Sequence, residues 1–166
     1  MPTDSVVHQL AIRVSNRLRD ERLMLATAES CTGGMVATAI TDISGSSGWF
    51  ERGFVTYSNQ AKSEMIGVPA ELIEKHGAVS EPVARAMAEG ALRNSRAQVS
   101  LAITGVAGPS GGSETKPVGT VSFGWSNRLH TSVETVVFKG DREKIRVQAA
   151  AHALRGLLAL LDERER

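Results

Sequence analysis

The sequence predicts an α/β protein: a single-domain, three-layer α/β/α sandwich with a mixed sheet. Three observations support this. Short apolar runs of strand length alternate with segments of helical period, which is the pattern of helices layered on a sheet. Two strand-like runs late in the chain lie next to each other around Asn127, so the sheet is not all parallel. The 166 residues show no internal repeat, low-complexity stretch or linker, and the length suits one domain spanning residues 1–166.

The elements follow in order. Val6, Val7, Leu10, Ala11, Val14 and Leu18 recur at helical spacing and mark the inner face of an opening helix. Leu23 to Ala28 is a short apolar run, a strand, and the segment Glu29-Ser30-Cys31-Thr32-Gly33-Gly34 joins it to a helix from Met35 to Thr41. DISGSSGW has loop chemistry. Phe54, Val55 and Tyr57 suggest a second strand. Ser58 or Asn59 can then cap a helix running through Ala61 to Ile66. Pro69 opens a further helix and Gly77 closes it, while Ser80 caps a longer one from Pro82 to Arg93. Val99 to Thr104 reads as a buried strand, followed by the long loop GVAGPSGGSETKP. Val118 to Trp125 and Val133 to Phe138 form the hairpin. Asp141 caps the last helix, whose stripe includes Ile145, Ala149, Ala153 and Leu157.

Composition excludes several classes. Net charge is +1 and no basic run appears, so no bulk field draws nucleic acid or an anionic membrane. Aromatic residues make up 4%, too few for base-stacking platforms. The single cysteine, Cys31, rules out an intrachain disulfide. MPTDSVVHQLAIRVS lacks a basic segment followed by an apolar core, so no signal peptide is expected. Ala149 to Leu161 contains His152 and Arg155 and is too short to span a bilayer. The expected location is the cytoplasm. His8, His76, His130 and His152 are scattered without ligand spacing, so no metal is expected; no other cofactor is expected either. Whether copies associate into a homo-oligomer is left open.

Three loops carry residues suited to chemistry. ESCTGG lifts side chains to the carboxyl edge of the sheet, where ligands bind in open α/β folds. It holds two nucleophiles side by side, Ser30 and Cys31, and its helix-start N–H groups suit an anion. The same residues also suit a plain capped turn with a buried cysteine. In the second loop, TYSNQAK, the cap places Lys62 in a helix's first turn. There the macrodipole disfavours an ammonium, and some burial would lower its pKa further. Lys62 is therefore either a base or an exposed lysine that tolerates a small cost, and Tyr57 either serves the site or packs on its strand. In the third, the glycine-rich loop from Gly105 to Pro117, backbone N–H groups suit phosphate, although the spacing fits neither the P-loop nor the dinucleotide fingerprint. Thr104 points to the same rim. Arg142 is placed either to grip a phosphate bidentately or to lie solvated at its helix start.

Together, ESCTGG, GSSGWFERGFVTYSNQAK, GAVSEPVA, TGVAGPSGGSETKPVGTV and GDRE resemble the CinA C-terminal domain family, and within it the standalone bacterial nicotinamide-nucleotide amidohydrolases. The resemblance runs from about Leu23 to Arg146. It implies hydrolysis of nicotinamide mononucleotide (NMN) to nicotinic acid mononucleotide and ammonia by a metal-free serine–lysine mechanism, part of pyridine nucleotide salvage. Carried over by motif, Ser30 is the nucleophile, Lys62 the base and Tyr57 a further catalytic group. Thr32, Gly33, Gly34, Ser47, Thr104, Gly105 and Arg142 are the expected substrate-binding residues, Ser47 with an assisting role open. The longer family proteins carry an extra N-terminal domain, whose pyrophosphatase chemistry is not expected here. Two other readings compete: a non-catalytic nucleotide-sensing or partner-binding module linked to competence or recombination, and an amidase that uses Cys31.

Overall fold

A computed structural model describes residues 2–164, with side chains described for residues 6–163. Among the described residues, six α-helices and five strands form the three-layer sandwich: α1 Pro2–Glu21, β1 Leu25–Glu29, α2 Met35–Thr41, β2 Phe50–Val55, α3 Asn59–Ile66, α4 Ala70–His76, α5 Glu81–Arg93, β3 Val99–Gly105, β4 Thr120–Ser126, β5 Thr131–Val137 and α6 Arg142–Arg164. The sheet order is β2-β1-β3-β4-β5. β1 pairs in parallel with β2 and β3, whereas β4 is antiparallel to both β3 and β5. The mixed sheet follows from the hairpin.

Strand alternation sorts the sheet into two unequal faces. Leu25, Leu101, Ile103, Phe123 and Trp125 belong to one core with residues of α1, α2 and α6. Ala26, Ala28 and Ala102 face the other core, with residues of α5. Small side chains on that face let α5 approach closely. Ser100 Oγ donates to the Ala88 carbonyl at 2.7 Å, and a Cβ on Gly124 would lie 2.6 Å from the Ala84 carbonyl oxygen.

On the opposite face the space is filled by Trp125. Its indole N–H donates to the Ala153 carbonyl at 2.9 Å, and a Cβ on Gly156 would stand 2.1 Å from the ring. Gly156→Ala is therefore expected to destabilise the fold by about 1–3 kcal/mol through overpacking. Urea denaturation with an unchanged slope checks this, and parental stability would show that Trp125 moves freely.

Several boundaries differ from the sequence expectation. Val6 is exposed, while Val7, Leu10, Ala11, Val14 and Leu18 are buried. β1 begins at Leu25 rather than Leu23 and extends through Glu29. β2 starts at Phe50 and ends before Tyr57. Its first half contains Glu51 and Arg52 because an edge strand keeps much of its surface in water, so no apolar alternation announces it. Of the two cap candidates, Ser58 is the one used: its side chain accepts from the Ala61 N–H at 3.0 Å. β5 starts two residues before the expected Val133 because the turn is tight, with Asn127 Oδ1 accepting the N–H groups of Leu129 and His130. Asp141 caps α6 as expected, accepting from Lys144 N at 2.9 Å.

Candidate active site

Parallel β1, β2 and β3 end at the same edge of the sheet, so the segments leaving their carboxyl ends meet there. Ser30 follows β1, Tyr57 follows β2, and Thr104 and Gly105 close β3. They line one small cleft of about 180 Å³ together with Cys31, Asn59, Lys62, Ala78, Val79, Ala107 and Arg142. A larger hollow, about 600 Å³, lies elsewhere between Arg85, Arg93, Arg128 and Leu129. It is lined by the Thr131 hydroxyl, which donates to Glu89 at 2.9 Å, and lies away from the carboxyl edge where β1, β2 and β3 end.

The centre of the cleft is a serine–lysine pair. Lys62 is 1% exposed, and its Nζ lies 3.3 Å from Ser30 Oγ, 3.1 Å from the Thr56 carbonyl and 3.4 Å from the Tyr57 carbonyl. No salt bridge reaches it among the described residues. Its neighbours are two carbonyls and one hydroxyl, none of them charged. Burial without an anionic partner holds the Lys62 amine below the usual lysine range, against a weaker upward pull from Cys31. The first-turn position in α3 acts in the same direction as burial.

Cys31 is adjacent and chemically different. Burial pushes its thiol up to about 11, against the lowering pull of its own N–H, Arg146 and Lys62. At neutral pH it is a thiol, not a thiolate, and hence a poor nucleophile.

Thr104 Oγ1 donates to the Ala78 carbonyl at 2.9 Å and so ties the α4–α5 connection over the cleft. Tyr57 is 61% exposed and sits past the end of its strand, at the rim. Its hydroxyl accepts from Arg142 at 3.2 Å, and the same guanidinium donates to the Gly108 carbonyl at 2.7 Å. Arg142 thus spans the mouth between two neutral acceptors.

Four expected binding residues are not in the cleft. Thr32 is fully buried, and its hydroxyl turns inward to donate to Glu29 at 2.6 Å. Gly33 and Gly34 are beside Arg146 and Val55, where φ values of +60° and +102° make the turn. Ser47 is exposed on a short turn before β2. The neighbouring Trp49 carbonyl accepts from Leu25 N at the start of β1, so this is the opposite edge of the sheet from Ser30. The helix start is also more occupied than expected: Val36 N and Ala37 N donate to the Glu29 carboxylate at 3.0 and 3.1 Å. Two residues went unassigned in the sequence, Glu29 and Arg146, whose guanidinium donates to the carbonyls of Cys31 and Thr32. Glu29 ends β1 six residues before α2 begins, so its reach to that helix start is set by the turn between them. Nothing local marked Arg146.

The sequence places these features in a family: residues 7–161 match the CinA C-terminal domain. The chain belongs to that family. It is 54% identical over 156 residues to the nicotinamide-nucleotide amidohydrolase PncC of Escherichia coli K12, covering 93% of this chain and 94% of that protein. It is 53% identical over 150 residues to a CinA-like protein of Syntrophobacter fumaroxidans, covering 90% of this chain but only 35% of that longer protein. Among solved structures it is similar to the competence/damage inducible protein CihA of Agrobacterium tumefaciens, with a TM-score of 0.91, 44% identity and coverage of 93% and 95%. Among the described residues no helix is long and apolar enough to cross a membrane.

Proposed function

We propose that this chain hydrolyses the carboxamide of NMN to nicotinic acid mononucleotide and ammonia, with Ser30 as nucleophile and Lys62 as general base. The observation that carries this is the buried Lys62 amine 3.3 Å from Ser30 Oγ, without a carboxylate partner. The likeness to the E. coli amidohydrolase over nearly the whole length of both proteins supports the substrate.

Neutral Lys62 takes the Ser30 hydroxyl proton as Oγ attacks the carboxamide carbon. The C–N bond then breaks, and the proton held on Nζ goes to the departing nitrogen, releasing ammonia. An ester on Ser30 remains. Water attacks it with Lys62 again accepting the proton, the ester C–O bond breaks, and Ser30 regains its hydrogen. With Glu29 occupying the helix start, the N–H groups of Cys31 and Thr32 are assigned to the developing oxyanion, each worth about 3 kcal/mol when aligned. The enclosed volume accommodates the reacting end of the nucleotide, leaving the ribose phosphate at the mouth beside Arg142 and Tyr57.

The test is direct: purified protein incubated with NMN, with ammonia and the acid nucleotide measured in equal amounts. Binding of NMN without turnover would instead support a sensing module.

Arg142 has its own expected result. A phosphate dianion competes well against the two neutral acceptors it now holds. Arg142→Ala is expected to raise KM for NMN by roughly ten-fold, a loss of about 1.4 kcal/mol, with a smaller effect on kcat. It should also narrow the preference for NMN over the dephosphorylated riboside. An unchanged ratio between these two substrates would return Arg142 to a purely structural strap.

A further inference from the structure

We infer that Glu29 and Thr32 form a positioning pair that holds the Ser30 turn in register with Lys62; the inference deepens the proposed serine–lysine reading and rests on it. Glu29 is the last residue of β1 and is 1% exposed. A buried carboxylate needs partners, and this one has no cation within salt-bridge distance among the described residues. Its partners are the Thr32 hydroxyl at 2.6 Å and the N–H groups of Val36 and Ala37 at 3.0 and 3.1 Å.

The geometry has a consequence for Ser30. Its own N–H donates to the Ile103 carbonyl at 3.0 Å, and the Thr56 N–H donates to the Glu29 carbonyl at 2.9 Å, so the strand side of the turn is pinned by the sheet. The helix side has no such ladder. There the Glu29 carboxylate binds the first turn of α2 and, through Thr32, the middle of the loop between. Around the positive-φ glycines Gly33 and Gly34, the loop is also held by its own turn bonds, Gly33 N to Ser30 O and Met35 N to Thr32 O, and by Arg146 on the Cys31 and Thr32 carbonyls; the Glu29–Thr32 bond is the one that ties its middle to the end of β1. The Ser30–Lys62 distance of 3.3 Å is near the outer limit of a hydrogen bond, so it tolerates little displacement. The pair touches no substrate and acts through Ser30.

The decisive variants are Thr32→Val, which keeps the shape and removes the hydroxyl, and Thr32→Ser, which restores it. Thr32→Val is expected to lower kcat by about ten- to a hundred-fold while KM for NMN stays near parental, because misplacement by about 1 Å costs that much in rate. Thr32→Ser should recover most of the loss. Glu29→Gln should lower kcat similarly, and the double variant Glu29→Gln/Thr32→Val should lose little more than either single change, since linked residues are not additive. If Glu29→Gln fails to fold, the two Thr32 variants decide alone. Parental kcat in Thr32→Val, equal activity of the valine and serine variants, or a loss confined to KM would overturn the positioning role. A parent without NMN hydrolysis would fail the proposed function itself, before any variant is compared.

Discussion

Ser30→Ala is expected to abolish ammonia release from NMN while leaving the fold intact. Loss of a nucleophile in a covalent mechanism typically costs on the order of 10⁵- to 10⁶-fold in kcat. The change removes one buried oxygen whose partners are Lys62 and the Tyr57 carbonyl and leaves the packing of the turn in place, so thermal stability should hardly move. Two neighbouring changes sharpen the result. Cys31→Ala should keep substantial turnover, because burial leaves that thiol protonated at neutral pH with its pKa at about 11. Ser47→Ala should be close to parental, since Ser47 stands at the other edge of the sheet. Ammonia release and thermal melts on the three variants settle the matter. Near-normal turnover by Ser30→Ala, or its loss in a folded Cys31→Ala, ends the serine assignment.

Lys62 has the second large effect. A base must be neutral for part of the time, and burial lowers the Lys62 amine from its ordinary value. Activity of the free enzyme should therefore rise with pH along one ionisation below the ordinary lysine value of about 10.4. Lys62→Arg keeps a cation that does not deprotonate in this range, and it should lose about 10²- to 10⁴-fold in kcat. Lys62→Met should lose as much and still bind NMN, since its defect is in proton transfer. The same shift fixes a stability effect. The folded-state pKa lies below the unfolded one, so the unfolded chain binds more protons between the two values. Stability contributed by this site is lowest below the folded pKa and rises with pH through that window. Lys62→Met, which removes the cost of desolvating a buried amine, should accordingly melt at higher temperature than the parent at neutral pH while being inactive. Paired profiles of kcat/KM against pH and melting curves measure both. An arginine variant working near the parental rate would show that the lysine is only an electrostatic support.

Much of the fold was legible locally. Apolar spacing located the inner residues of α1 and α6. The caps Ser58, Ser80 and Asp141 were readable because capping is a contact between near neighbours. The hairpin was readable from two strand-like runs around Asn127, and with it the mixed sheet. β2 was half missed, because its edge position leaves Glu51 and Arg52 compatible with a strand while removing the apolar signature. The site divides in the same way. Ser30 and Lys62 stood out by their places at a strand end and a helix start. Ser47 was grouped with them because a motif records nearness along the chain, and the chain crosses from one edge of the sheet to the other between Ser47 and Tyr57.

Residue type and short-range order thus determined the layers, the sheet's mixed character and the caps, and marked Ser30 and Lys62 as candidates whose proposed roles came from the family resemblance. These depend on contacts within a turn or on the period of a single element. Only the tertiary structure decided that Lys62 is buried and lacks an anion, that Thr32 turns inward to Glu29, that Arg146 of α6 grips the nucleophile turn, and that Arg142 closes the mouth through Tyr57 and Gly108. Each of those depends on packing between segments far apart in the chain. Desolvation, the main cause of the Lys62 shift, exists only once β1, β2 and α3 have come together around it.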